Sequence, residues 1–157
     1  MPARATSRPL AGGHYRDAVP KGIFHAVVAT DDLDASLRFL VDVCGIGPVR
    51  RYSTPARALS SVLGWPPGDY VATAAIVGQP PGMLDIVEVP EPLRGTVAPG
   101  VQLLAIATPD VAGRVAAAQE AGFSPLEPRT VVDADGAQMT TSPVTVGGVG
   151  YELVRFG

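Results

Sequence analysis

Residues 25–33 read HAVVATDDL, and 78 residues later residues 103–111 read LLAIATPDV. Both copies run from an apolar stretch through Ala-Thr into an acidic helix start, with Ala29-Thr30-Asp31-Asp32 matching Ala107-Thr108-Pro109-Asp110. A repeat of this length constrains the fold more than any single motif, because two like units must share one core. The helices repeat as well. Leu33, Leu37, Leu40 and Cys44 fall on one helical face, and Val111, Val115 and Ala118 follow the first three at the same offset. This spacing predicts Cys44 as core. Asp32 and Asp110 are suited to cap the helix starts, and Gly45 and Gly122 to end the helices.

Each helix is followed by strand-like segments broken by turns. In the first half these are 49–52, 70–77 and 83–89, with a short extra helix over 55–63. In the second half they are 128–133, 137–143 and 151–156, with turn signals at Asp135-Gly136 and Gly147-Gly148. The expected fold is therefore α+β. Two βαβββ modules form one curved, mostly antiparallel mixed sheet with an open cup, and the helices cover the outer face. The module boundaries are 22–90 and 100–157, joined by a Pro-rich linker over 91–99. Residues 1–21 carry a net charge of +3 against −6 for the rest, and read as a basic N-terminal tail.

Composition narrows the function. The chain has 157 residues, 46% of them hydrophobic, enough for one domain with a real core. One cysteine excludes an internal disulfide framework and a thiolate-rich zinc site. No apolar run approaches the 18–20 residues of a membrane span, and the start has no secretory h-region, so a cytoplasmic location is expected. The net charge of −3, without a Lys/Arg cluster, argues against a nucleic-acid partner.

The repeat, with FHAVVATDDLDASLRFLVDVCGIGPV at 24–49, MLDIVEVPEP at 83–92, LLAIATPDVAGRVAAAQEAGF at 103–123 and GYELVRF at 150–156, resembles the vicinal oxygen chelate superfamily. That superfamily includes glyoxalase I, bleomycin-resistance proteins, extradiol dioxygenases and methylmalonyl-CoA epimerase. The resemblance implies a metal in the cup, held from the first and last strands of each half. The matching positions here are His25, Asp85, Leu103 and Glu152. Leucine cannot ligate. Gln102 is adjacent, but alternation along a regular strand turns it to the other face, and a one-residue register shift is needed to bring it inward. The implied cofactor is one divalent ion (Zn, Ni, Mn, Co or Fe), or none. A dioxygenase-type iron site is disfavoured, because it needs two histidines and the only other one, His14, lies in the tail.

The residues themselves point to the same cup. His25, Asp85 and Glu152 are ionisable groups in otherwise apolar strands, and such groups need partners. They are the candidate catalytic set, and the candidate, incomplete metal set. Leu103, Tyr70, Trp65, Gln138, Thr140 and Arg57 are candidate ligand-pocket residues, with Trp65 either a lip over the cup or peripheral packing. The expected function is proton transfer on a small organic substrate by the cup carboxylates, with or without a metal, as in an isomerase, epimerase or lyase. The alternative is a metal-free protein that binds or sequesters a small molecule, like the bleomycin-resistance relatives. The expected partner is a small molecule, with a homodimer left open, and neither nucleic acid nor a membrane.

Overall fold

A computed structural model describes residues 22–79, 82–132 and 136–157. The tail with His14, and Asp135 of the expected turn, lie outside these residues. The first half contains β1 (Gly22–Thr30), α1 (Leu33–Arg38), β2 (Val49–Pro55), α2 (Ala56–Leu63), β3 (Val71–Val77) and β4 (Met83–Glu88). The second half contains β5 (Gly100–Ala107), α3 (Val111–Glu120), β6 (Arg129–Val132), β7 (Gln138–Val146) and β8 (Val149–Phe156). All eight strands form one sheet in the order β2-β3-β4-β1-β5-β8-β7-β6. β1 runs parallel to β4, and β5 runs parallel to β8. The other neighbours are antiparallel, including β1 with β5, which joins the halves. The expected mixed, mostly antiparallel sheet of two modules is what forms.

The helix starts repeat in atomic detail. Asp32 Oδ1 accepts from Ala35 N–H at 2.8 Å, and Asp110 Oδ1 accepts from Gly113 N–H at 2.9 Å. Behind each cap a threonine hydroxyl, from Thr30 or Thr108, accepts the aspartate's own N–H. Each cap satisfies a helix-end donor that would otherwise lack a partner. α1 packs on β3 and β4, burying Leu33 and Leu37 against Ala75, Val77 and Ile86. α3 takes the matching place over β7 and β8.

Two departures from the expected pattern have local causes. After Arg38 the helix widens into a π turn over Phe39–Val43, with Cys44 N–H bonded to Phe39 O. The extra residue per turn rotates the chain, so Cys44, expected in the core, is exposed. Further on, the cup is less open than expected. Leu59 of α2 and Trp65 of the following loop pack with inward residues Val27, Ala29, Val87, Leu103, Ala105 and Val154.

Leu33→Ala removes a side chain only 2% exposed and should cost about 2–5 kcal/mol. Asp110→Ala removes a cap and should cost about 1 kcal/mol. Urea unfolding of both variants checks this order.

Candidate active site

The strand register decides which side chains meet. His25, Val27 and Ala29 of β1 share one face, and Val27 lies beside Asp85 of β4. In β5, Ala105 lies beside Glu152 of β8. Val27 and Ala105 are one repeat apart, so Asp85 and Glu152 occupy twofold-related places on the inner face. The same operation relates Tyr52 to Arg129. Tyr52 pairs with Ala74, which pairs with Val87. Arg129 pairs with Thr141, which pairs with Val154.

Each carboxylate receives a hydroxyl from its own half. Tyr52 Oη–H donates to Asp85 Oδ1 at 2.6 Å. Thr141 Oγ1–H donates to Glu152 Oε1. Glu152 is buried, with 5% of its surface exposed, and Thr141 is fully buried. Burial raises the Asp85 pKa to about 6, with the Glu152 charge adding to the rise. The Tyr52 hydrogen bond and the Arg50 charge hold it from going higher. Burial likewise raises Glu152, opposed by the Thr141 bond and the Arg129 charge. Burial, then the Asp85 charge, pushes the Tyr52 hydroxyl well above its usual value, so it stays a donor. Burial lowers His25 to about 4, which leaves a neutral imidazole at physiological pH. Its Nδ1 is buried without a hydrogen-bond partner, and its ring meets Phe24 edge-on, with centroids 5.5 Å apart.

The matching position in the second half holds Leu103, which is buried. Gln102 nonetheless reaches the inner cluster. Val27 pairs with Leu103 and Val28 with Val101, so Gln102 is an extra, bulged residue. Phe24, one repeat earlier, is skipped in the same way between Ile23 and His25. The bulge brings Gln102 Oε1 to within 3.2 Å of Trp65 Nε1, which donates to it. Gln102 Nε2 donates to the carbonyls of Ala98 and Gly100. This amide is therefore committed to holding the Trp65 loop.

These donors do not fit a metal ion. Among the described residues no three His, Cys, Asp or Glu side chains gather closely enough to hold one. Of the expected pocket residues, Leu103 lies on the inner face. Trp65 is 4% exposed and is core, not a lip, because its ring fills the space under α2. Tyr70 packs against the same cluster and spends its hydroxyl on Pro66 O at 2.7 Å. Arg57 lies exposed on α2. Gln138 and Thr140 alternate with Thr141 along an unbroken ladder and so lie on the opposite face from Glu152. Two surface depressions stand out elsewhere. One of about 660 Å³ lies between α1 and β2, and one of about 330 Å³ lies beside Tyr70, Glu88 and Arg94. Neither is lined by His25, Asp85 or Glu152. Sequence reasoning missed Tyr52, Thr141 and Arg129. Their signal is an inward strand position opposite a carboxylate, readable only once the register is known.

The profile of the Glyoxalase/Bleomycin resistance protein/Dioxygenase superfamily matches residues 22–145. The chain belongs to this superfamily. Curated proteins give no sequence match. Among solved structures, methylmalonyl-CoA epimerase from Mycobacterium tuberculosis is 17% identical, covering 90% of this chain and 94% of its own, with a TM-score of 0.59. A methylmalonyl-CoA epimerase in complex with methylmalonyl-CoA and NH4+ is 23% identical, covering 85% of this chain and 93% of its own, with a TM-score of 0.56. A mutant of 4-hydroxymandelate synthase from Streptomyces coelicolor is 16% identical, covering 88% of this chain and 50% of its own, with a TM-score of 0.61. At these identities the likeness is one of fold. No helix among the described residues is long and apolar enough to cross a membrane.

The buried groups set a pH signature. Asp85 holds its proton more tightly folded than unfolded. Its stabilising contribution is complete below an unfolded value near 4 and is lost as pH rises through about 6. His25 acts in reverse: its contribution is present above about 6.5 and is lost as pH falls toward 4. The two oppose each other in wild type, and Glu152 acts in the same direction as Asp85. Asp85→Asn removes one arm, so its stability relative to wild type should rise by about 2–3 kcal/mol between pH 4 and 6. Urea midpoints of both proteins at pH 4, 5, 6 and 7 measure this, and a pH-independent difference contradicts it.

Proposed function

We propose that this chain moves a proton on a small carbon acid held in the cup, in an epimerase- or isomerase-type reaction that needs no metal. The supporting observation is the pair of buried carboxylates at twofold-related inner positions, each held by a hydroxyl from its own module. One carboxylate takes the proton as the C–H bond breaks, and the electron pair passes into the adjacent carbonyl to give an enolate. The protonated partner then returns a proton to the carbon, and exchange with solvent resets the pair. Two carboxylates in different surroundings suit this division of labour. Asp85, near 6, is the base at neutral pH. Glu152, whose pKa burial also raises, is the second proton carrier. Tyr52 holds the Asp85 carboxylate in place, and neutral His25 is placed to hydrogen-bond the enolate oxygen. The epimerase names of two proteins with this fold are consistent with that chemistry.

A second reading has its own support. Leu103 replaces a polar position with an apolar one, as suits a protein that only binds and sequesters an apolar ligand.

Deuterium uptake separates the two readings. A panel of 2-substituted acids, thioesters and 2-oxo acids is incubated in D2O, and C–H loss is followed by NMR. Proton transfer predicts catalysed exchange that rises through pH 6. It should fall about 100-fold or more in Asp85→Asn and in Glu152→Gln, and survive dialysis against EDTA. Ligand binding without exchange anywhere in the panel would favour sequestration.

A further inference from the structure

Arg129 is the twofold counterpart of Tyr52, but it does a different job. It starts β6 on the inner face, paired with Thr141, whose hydroxyl holds Glu152. One guanidinium nitrogen, Nη2, donates to the Ser61 carbonyl near the end of α2 at 2.5 Å. Nε is buried and has no hydrogen-bond partner. The charge of Arg129 acts on Glu152, but no ion pair within 4.0 Å joins them. Arg51–Asp34 and Arg94–Glu91, two ion pairs among the described residues, are on the surface. Arg129 is half-buried: its Nη2 end reaches the surface, while its Nε is a buried donor left unused with no carboxylate in contact. Buried donors ordinarily have a hydrogen-bond partner, and an arginine fork matches a carboxylate well.

We propose that Arg129 anchors the ligand by its carboxylate, so that this cup takes small carboxylic acids with an apolar body. The anion would complete the donor set of Arg129 beside Glu152, and the body would lie against the apolar inner face around Met139 and Phe156. A negative ligand group at this point also favours the protonated form of Glu152. The inference rests on the cup being the ligand site, as in the reading above, but not on turnover.

Binding is therefore the readout. Phenylacetate and hexanoate are titrated into the full chain, with phenylacetamide and hexanamide as uncharged shape matches. The arginine Nε–H signals are followed in ¹⁵N-correlated NMR spectra, and the Arg129 signal is assigned by its loss in Arg129→Gln. The expected result is a shift of that signal with the acids and not the amides, with the acids binding at least 10-fold more tightly. Arg129→Gln should erase the preference and Arg129→Lys should keep part of it, while Arg114→Gln on α3 should leave it intact. Equal binding of acids and amides, preference surviving in Arg129→Gln, or no response from either acid overturns the proposal. The wild-type comparison of acid with amide decides the matter even if Arg129→Gln unfolds. A purely structural tie to α2 would lower the melting temperature of the variant without any carboxylate preference. If the acids bind but no substrate exchanges deuterium, the anchor stands and the proton-transfer reading falls.

Discussion

The antiparallel pairing of β1 with β5 is the interaction on which the rest depends. Each module alone would leave its first strand as an open sheet edge, and an unpaired edge invites association. Joined, the two edges satisfy each other's backbone groups and place the inner faces side by side. The twofold relation between Asp85 and Glu152 follows from that seam. So does the stability of the whole, because the apolar cluster on the inner face draws on both halves.

The seam is not regular. It carries two bulges, at Phe24 and Gln102, one repeat apart. A bulge lets two successive side chains leave a strand toward the same side. In the first half it turns Phe24 onto Phe156, with ring centroids 4.5 Å apart. In the second it turns Gln102 onto Trp65. The same backbone irregularity serves packing at one end and hydrogen bonding at the other.

Much of the fold was legible because the repeat doubled every signal. Asp32 with Asp110, and Gly45 with Gly122, each vouch for the other, and both glycines do adopt the left-handed conformation that ends a helix. The inward direction of His25, Asp85, Leu103 and Glu152 was implied by the family resemblance. What stayed hidden was whatever depends on cross-strand register. Tyr52 and Arg129 become site residues only because of the residues opposite them, and Gln138 and Thr140 miss the cup by one position. Cys44 was misplaced for a related reason, since one π turn shifts helical phase without any mark in composition. Trp65 could be read as a lip because glycines and prolines flank it, yet its large ring is worth more buried than exposed.

The two halves also differ in length. The first strands are 78 residues apart, but Asp85 and Glu152 are only 67 apart, so the first half is longer by the stretch that holds α2. A cup built from two identical halves would greet an incoming molecule alike from either side, and a ligand could lie in it head-first or tail-first. With α2 and Trp65 at one end, and Arg129 where the other half has Tyr52, that degeneracy is gone. The duplicated scaffold has two distinct ends, so the head and the tail of a guest would meet different side chains.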